Sequence, residues 1–133
     1  MTSVPLGYLR IADHLLQGDI TFSPEISPEA RQRTAINRYY YAINRLGDYY
    51  LAEYLKDPKY CQIEKKYHKT IKDCLKALGD PKMQKVIQRI GQLYAKREAA
   101  DYDNSYTSIG SDSAIAKRFA WQVKEIFDEL LKV

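Results

Sequence analysis

Apolar residues recur every three or four positions along most of the chain, which is the period expected of α-helices that turn one face toward a core. No segment alternates between apolar and polar residues, and no tight turn of the Asn-Gly type separates two apolar segments. We therefore expect no β-sheet. The pattern predicts five helices, over residues 4–18, 27–56, 59–78 and 80–102 and after residue 113. The chain should fold as an all-α, five-helix up-and-down-like bundle with a single domain over residues 1–133.

The ends of these helices coincide with residues that start or stop helices. Ser27-Pro28 and Asp80-Pro81 each place a capping side chain before a proline that suits a first helical turn. Asp57-Pro58 disfavours continuation of the second helix, and Gly79 closes the third. Two adjacent apolar stripes run along the second helix, so we expect it to be the central and most buried element.

Composition narrows the classes of protein to which the chain can belong. The formal net charge of +4 is compatible with a partner that carries phosphates, but charge alone does not identify one. Cys61 and Cys74, in a chain with no apolar signal segment near Met1, indicate free thiols in a reducing, cytoplasmic compartment. No apolar segment is long enough to cross a bilayer, and we expect neither a metal nor a cofactor. The twelve tyrosines favour half-buried faces and interfaces, so we consider a homodimer.

Two charged residues continue the apolar stripe of the fourth predicted helix. Ile90, Tyr94, Arg97 and Asp101 lie on one face at helical spacing, so Arg97 and Asp101 should point inward. An inward charge is costly unless it is paired. Either the two residues form an ion pair that fixes the fourth helix on the second, or they line a cleft. Removal of one partner of a buried pair costs roughly 3 to 5 kcal/mol.

A polar strip interrupts the otherwise apolar second helix. It consists of Arg38, Tyr41, Arg45 and Asp48, with Asn37 and Asn44 beside them. Guanidinium groups next to tyrosines can hold phosphates and stack on unpaired bases, which is the chemistry of single-strand recognition. A solvated face or a dimer seam would show the same pattern.

Few other residues suggest chemistry. His68 lies at the margin of the apolar face of the third predicted helix, where a histidine is either a structural residue or, with its ordinary pKa near 6.5, a proton carrier for phosphodiester cleavage. No serine or cysteine has the surroundings of a nucleophile. No Gly-rich loop of the Walker or dinucleotide-binding type occurs, which excludes the usual ATPases and dehydrogenases.

Three strings in this order resemble a HEPN domain. They are Asn37-Arg38-Tyr39-Tyr40-Tyr41-Ala42, Tyr67-His68 and Arg97-Glu98-Ala99-Ala100-Asp101-Tyr102. In one branch of that family, a long helix carries a Ser-Arg-x-Tyr-Tyr-Ala pattern, a histidine opens the next helix, and an Arg-x-x-Ala-Asp-Tyr pattern ends the fourth. The resemblance extends from Leu6 to Leu131.

The resemblance implies a function. HEPN domains are small helical bundles that commonly dimerise, and many are metal-independent endoribonucleases of toxin–antitoxin or other defence systems. By this resemblance Arg97 would hold the scissile phosphate, and His68 or Tyr102 would carry a proton. RNA would be bound by Arg38, Tyr41, Arg45 and Asp101.

Two departures from the family pattern leave an alternative open. Nuclease branches carry a histidine about one turn after the arginine, whereas Asp101 and Tyr102 occupy that region here. Asn44-Arg45 stands where related chains often have phenylalanine and histidine. Other HEPN domains are non-cleaving partners of small nucleotidyltransferases. The alternative is therefore a non-catalytic interaction subunit that pairs with a nucleotidyltransferase or another protein.

Overall fold

The computed structural model describes residues 3–17, 22–64, 68–103 and 108–131. These ranges contain no strand, and the predicted all-α helical bundle is confirmed. The helices are α1 (Ser3–Leu15), α2 (Pro28–Tyr49), α3 (Pro58–Cys61), α4 (His68–Ala77), α5 (Met83–Tyr102) and α6 (Ile109–Leu130), and a π-helical turn (Tyr50–Tyr54) continues α2. Within the described ranges, every helix is too short or too polar to cross a lipid bilayer.

The boundaries of α2 follow from its capping residues. The Ser27 hydroxyl accepts a hydrogen bond from the amide of Ala30 at 3.1 Å, and Pro28 occupies the first turn, as the sequence predicts. At the other end the helical backbone stops at Tyr54, near the predicted limit. Lys56 takes a positive φ of 51°, which is costly for a residue with a side chain and breaks the helix.

The third predicted helix, over residues 59–78, is divided, so that prediction is wrong in detail. The Asp57 carboxylate accepts hydrogen bonds from the amides of Lys59 and Tyr60, which starts α3. The helix ends at Cys61, residues 62–64 are not helical, and α4 begins at His68. Tyr60 is fully buried and donates its hydroxyl to Asp48 at 2.5 Å. This contact fixes α3 against α2.

The last helix begins earlier than the sequence indicates. The predicted loop reaches Ser113, but α6 starts at Ile109. Asp112 in its first turn forms an ion pair with Lys96 of α5, with 3.0 Å between Nζ and Oδ1. An acidic side chain also suits the positive end of the helix dipole. The polar composition of residues 108–113 therefore marks a helix start and not a loop.

The predicted central position of α2 agrees with the packing, since α2 contacts α1, α4, α5 and α6. Its buried residues are Ala35, Ile36, Tyr39, Tyr40, Ala42, Ile43, Leu46 and Gly47. At Gly47 a Cβ atom would lie 2.8 Å from Cγ2 of Ile71. The missing side chain therefore lets α4 approach α2 closely.

A shared carboxylate joins α1, α2 and α6. Asp13 accepts hydrogen bonds from the hydroxyl of Tyr39 at 2.5 Å and from the indole Nε1 of Trp121 at 3.2 Å. Burial, followed by the contact with Asp13, raises the pKa of Tyr39. The fully buried Tyr39 thus has the hydrogen-bond partner that a tyrosine requires inside a protein.

An arginine of α2 caps the end of α5. Arg33 donates through Nη1 to the carbonyl oxygen of Ala100 at 2.5 Å and through Nη2 to that of Asp103 at 2.8 Å. A helix leaves its last four carbonyl groups without partners inside the helix, and a cation also suits this negative end. Arg33 therefore holds the final turn of α5, which carries Asp101, against α2.

Candidate functional site

The residues of the predicted polar strip line a groove of about 600 Å³. Arg38, Tyr41, Arg45 and Asp48 all belong to it, as do Asn37 and Asn44, and Tyr8 of α1, Tyr60 of α3 and Ile71 of α4 complete the lining. The six residues of α2 recur at helical spacing along one face. The strip is therefore neither a flat solvated surface nor part of the core.

Two arginines of the groove carry positive charge that nothing in the described part of the chain neutralises. The guanidinium of Arg38 lies 5.9 Å from the ring centre of Tyr8, and Arg45 is exposed. No carboxylate oxygen of the described residues lies within 4.0 Å of either group. Seven residues, or about 10 Å of helix, separate them. They are suited to hold anions bidentately.

Asp48 contributes a hydrogen-bond acceptor to the lining of the groove. Tyr60 donates to Oδ1 of Asp48 at 2.5 Å, which fixes the orientation of that carboxylate. Burial, and then this contact with Asp48, raise the pKa of the Tyr60 hydroxyl. One turn earlier the amide of Asn44 hydrogen-bonds with Tyr40, while its carbonyl oxygen has no partner among the described residues.

Tyr41 supplies an accessible aromatic ring between the two arginines. It is 40% exposed, and the buried Tyr40 supports it in an edge-to-face contact with 5.6 Å between ring centres. A ring held on one side and open on the other can stack on a planar ligand group.

Arg97 and Asp101 face α2, as the sequence predicts. Nε of Arg97 lies 3.1 Å from Oδ2 of Asp101, and the two side chains are 21% and 25% exposed. The amide nitrogen of Asn37 donates to both carboxylate oxygens of Asp101, at 3.2 and 3.3 Å. The guanidinium of Arg97 also lies 5.4 Å from the ring centre of Tyr40 and 6.0 Å from that of Tyr41.

The electrostatics of this pair keep Arg97 charged. Burial alone would lower the pKa of the guanidinium, but the Asp101 carboxylate together with the nearby hydroxyls of Tyr41, Tyr40 and Tyr102 outweighs it, and the pKa is raised. The pairing is electrostatic more than directional, because the Nε–H group of Arg97 is not aligned with an acceptor in the part of the chain that the structure describes. Of the two alternatives posed by the sequence, the geometry shows the ion pair on α2. The pair lies beside the groove, next to Asn37 and Tyr41, and does not line it.

The three predicted catalytic residues are not seen as one cluster. Arg97 is engaged as described, and Tyr102 extends into solvent with 69% of its surface exposed. His68 opens α4, but its side chain lies outside the described residues. In the described part of the chain no three His, Cys, Asp or Glu side chains are grouped as metal ligands.

The sequence patterns did not predict the part that three residues play at or near the site. Tyr8 and Tyr60 occupy apolar positions of their helices, and nothing local shows that their rings or hydroxyls face a groove. Arg33 follows Glu29 by four residues and forms an ion pair with it at 2.9 Å, which resembles an ordinary surface pair. Its contacts with the end of α5 bridge more than sixty positions of sequence.

Comparisons of the chain with models of protein families, with curated proteins and with solved structures gave no match. The resemblance to the HEPN family thus depends on the three strings quoted above and stays a prediction.

Proposed function

We propose that the chain is a HEPN-type module that binds single-stranded RNA in the groove along α2, in a cytoplasmic defence or toxin–antitoxin type system. The observation that carries this proposal is the presence, in one groove, of two guanidinium groups that form no ion pair with any described residue, on either side of an exposed tyrosine. The net charge of +4 also favours the binding of a chain of phosphates.

The chemistry of the groove fits an unpaired strand better than a duplex. Arg38 and Arg45 would each hold a backbone phosphate through their planar guanidinium groups. Tyr41 would stack on a base, which requires that the base is not already stacked in a helix. An A-form duplex offers phosphates but no free base face.

Binding is better supported than cleavage. The titratable residues among those that line the groove are tyrosine, arginine and aspartate, and none of these types has its ordinary pKa near neutrality, where a proton carrier works best. Arg97 is already paired with Asp101. The enzymatic form of the proposal is a metal-independent endoribonuclease in which Arg97 holds the phosphate and His68 or Tyr102 transfers the proton.

The test of binding compares three arginine variants. Fluorescence anisotropy with a labelled single-stranded RNA should show that Arg38→Ala and Arg45→Ala each weaken binding by about tenfold, the equivalent of roughly 1.4 kcal/mol. Arg118→Ala is the matched control, because Arg118 is exposed on α6, which contributes nothing to the groove. If the wild type does not bind, or if Arg118→Ala weakens binding as much as the other two, the proposal is wrong.

Cleavage is measured on the same RNA in the presence of EDTA. Fragments that appear with the wild type, and disappear with Arg97→Ala while binding persists, would establish the endoribonuclease form. An intact RNA after long incubation would restrict the function to binding.

A second candidate function follows from the pairing of Arg97. Asp101 forms an ion pair with Arg97 and accepts a hydrogen bond from Asn37 within the chain. Such internal contacts are expected if these residues stabilise the fold and do not bind a substrate. The chain would then be a non-catalytic subunit that pairs with a nucleotidyltransferase or another protein, or with a second copy of itself. Light scattering after size-exclusion chromatography reports the homodimer. Co-purification with a nucleotidyltransferase encoded beside it, together with no affinity for RNA, would favour this candidate over the first.

A further inference from the structure

The groove is lined by side chains that donate hydrogen bonds and by one carboxylate that accepts them. Arg38 and Arg45 carry only donors, whereas Asp48, when ionised, can only accept. The Tyr60 hydroxyl donates to Oδ1 of Asp48, and no described residue donates a hydrogen bond to the other carboxylate oxygen. A ligand that fills this groove should therefore combine an anionic group with an N–H donor.

Nucleobases differ in this property. Adenine has the amino group N6 and cytosine the amino group N4 at the position where uracil has the carbonyl oxygen O4 and guanine the carbonyl oxygen O6. A carboxylate attracts the amino group and repels the carbonyl oxygen. Aspartate accepting from the amino group of cytosine is a known pairing of this kind. The volume of about 600 Å³ also falls within the range of roughly 300–1,000 Å³ that single small ligands occupy.

We propose that the groove prefers adenine and cytosine to uracil, and that Asp48, held by Tyr60, accepts a hydrogen bond from the amino group N6 or N4 while Arg38 and Arg45 hold the flanking phosphates. This inference rests on the proposed binding of RNA and adds to it the identity of the preferred base. Asp48 is thereby a specificity-determining residue, which is distinct from the arginines that supply affinity.

The preference is measured with labelled homo-oligomers of adenosine, cytidine and uridine of equal length at one salt concentration. A single good base contact gives discrimination of about five- to hundredfold, so we expect the adenosine and cytidine oligomers to bind at least about fivefold more tightly than the uridine oligomer. Asp48→Asn should remove or reverse this preference. Asparagine keeps an oxygen for the Tyr60 hydroxyl but can turn an amide N–H₂ group toward the carbonyl oxygens of uracil.

Two further variants keep the test decisive. Glu125→Gln removes one negative charge from an exposed position of α6 and should strengthen binding of all three oligomers equally, without altering their order. Tyr60→Phe leaves the carboxylate but removes the hydroxyl that orients it, so it should reduce the preference for adenosine and cytidine. It replaces Asp48→Asn as the test if that variant does not fold, as judged by circular dichroism.

The outcomes separate this inference from the function on which it rests. Equal affinity of the wild type for the three oligomers would overturn the base preference and leave RNA binding intact. An Asp48→Asn variant that behaves like Glu125→Gln would show that Asp48 acts through its charge alone, which also overturns the inference. If no oligomer binds the wild type, both proposals are wrong.

Discussion

Substitution of Arg97 by alanine should destabilise the bundle moderately and leave it folded. The side chain of Arg97 is 21% exposed, and its partner Asp101 is 25% exposed. The pair is thus neither a surface ion pair nor one enclosed in the core. This intermediate position makes the size of the effect a test of the geometry from which the second candidate function is inferred.

The expected magnitude follows from the contacts that alanine removes. Exposed ion pairs contribute roughly 0.2–1 kcal/mol, whereas breaking a buried pair costs roughly 3–5 kcal/mol. The Arg97–Asp101 contact at 3.1 Å should lie between these limits, at about 1 kcal/mol. The contacts of the guanidinium with the rings of Tyr40 and Tyr41 add about 0.5 kcal/mol each. We therefore expect Arg97→Ala to lower the free energy of unfolding by about 2 kcal/mol.

Urea unfolding followed by circular dichroism measures this change, with an unchanged m-value as the sign that the unfolded state is unaffected. Arg97→Lys keeps the charge but loses the planar stacking on the tyrosine rings. It should lower the free energy of unfolding by about half as much as Arg97→Ala. A double-mutant cycle with Asp101→Ala should give a coupling energy of about 1 kcal/mol. A loss above about 4 kcal/mol would mean that the pair is enclosed in the core, and a loss below about 0.5 kcal/mol would mean that both side chains extend into solvent.

Three further predictions concern the contacts around the site. Arg33→Ala should lower the free energy of unfolding by about 1–2 kcal/mol, because Arg33 donates to the carbonyls of Ala100 and Asp103. For the same reason hydrogen exchange should become faster for the amides near residues 99–103. Unchanged exchange there would contradict the capping role. Asp13→Ala leaves the donors of Tyr39 and Trp121 without this acceptor, so the free energy of unfolding in urea should fall by roughly 2–4 kcal/mol. Asp13→Asn keeps an acceptor, and its loss of stability should be less than half of that. The free energy of unfolding should also fall in alkali. Burial, and then a carboxylate contact, raise the folded-state pKa of Tyr39 and of Tyr60 above the ordinary value of 10.0. The contribution of these two tyrosines to stability is therefore complete below about pH 10 and is lost as the pH rises above it. Melting temperatures across this range should show a smaller decline for Tyr60→Phe than for the wild type, and equal declines would contradict the assignment.

The helices were predictable because their signals are local. Ser27 and Pro28 start α2 and Gly79 follows α4, and each of these residues acts within one turn of its own position. The division of the third predicted helix into α3 and α4 was not predictable from the apolar period, which is continuous, and the contact of Tyr60 with Asp48 on another helix is likewise invisible to a local pattern. At the early start of α6, Asp112 meets Lys96 of another helix. Both errors occur beside a contact between helices, which a local pattern does not show.

The groove was half predictable for the same reason. Its α2 side is a helical stripe of polar residues, and periodicity alone places Arg38, Tyr41, Arg45 and Asp48 on one face. The rest of the lining comes from Tyr8, Tyr60 and Ile71 on three other helices. The periodicity of α2 cannot specify which residues of other helices will lie next to its polar stripe. The inward turn of Arg97 and Asp101 was visible in the apolar stripe of α5, but their contact with Asn37 was not.

The central claim, that Arg38 and Arg45 contact phosphates of a bound single strand, is tested most directly by the salt dependence of RNA affinity. Each phosphate contact on a single strand contributes about 0.7 to the slope of log K against log salt concentration. The double variant Arg38→Ala/Arg45→Ala should therefore show a slope that is smaller in magnitude by about 1.4 than that of the wild type, while Arg118→Ala should keep the wild-type slope. A double variant with the wild-type slope would place the bound strand elsewhere on the protein and contradict the account.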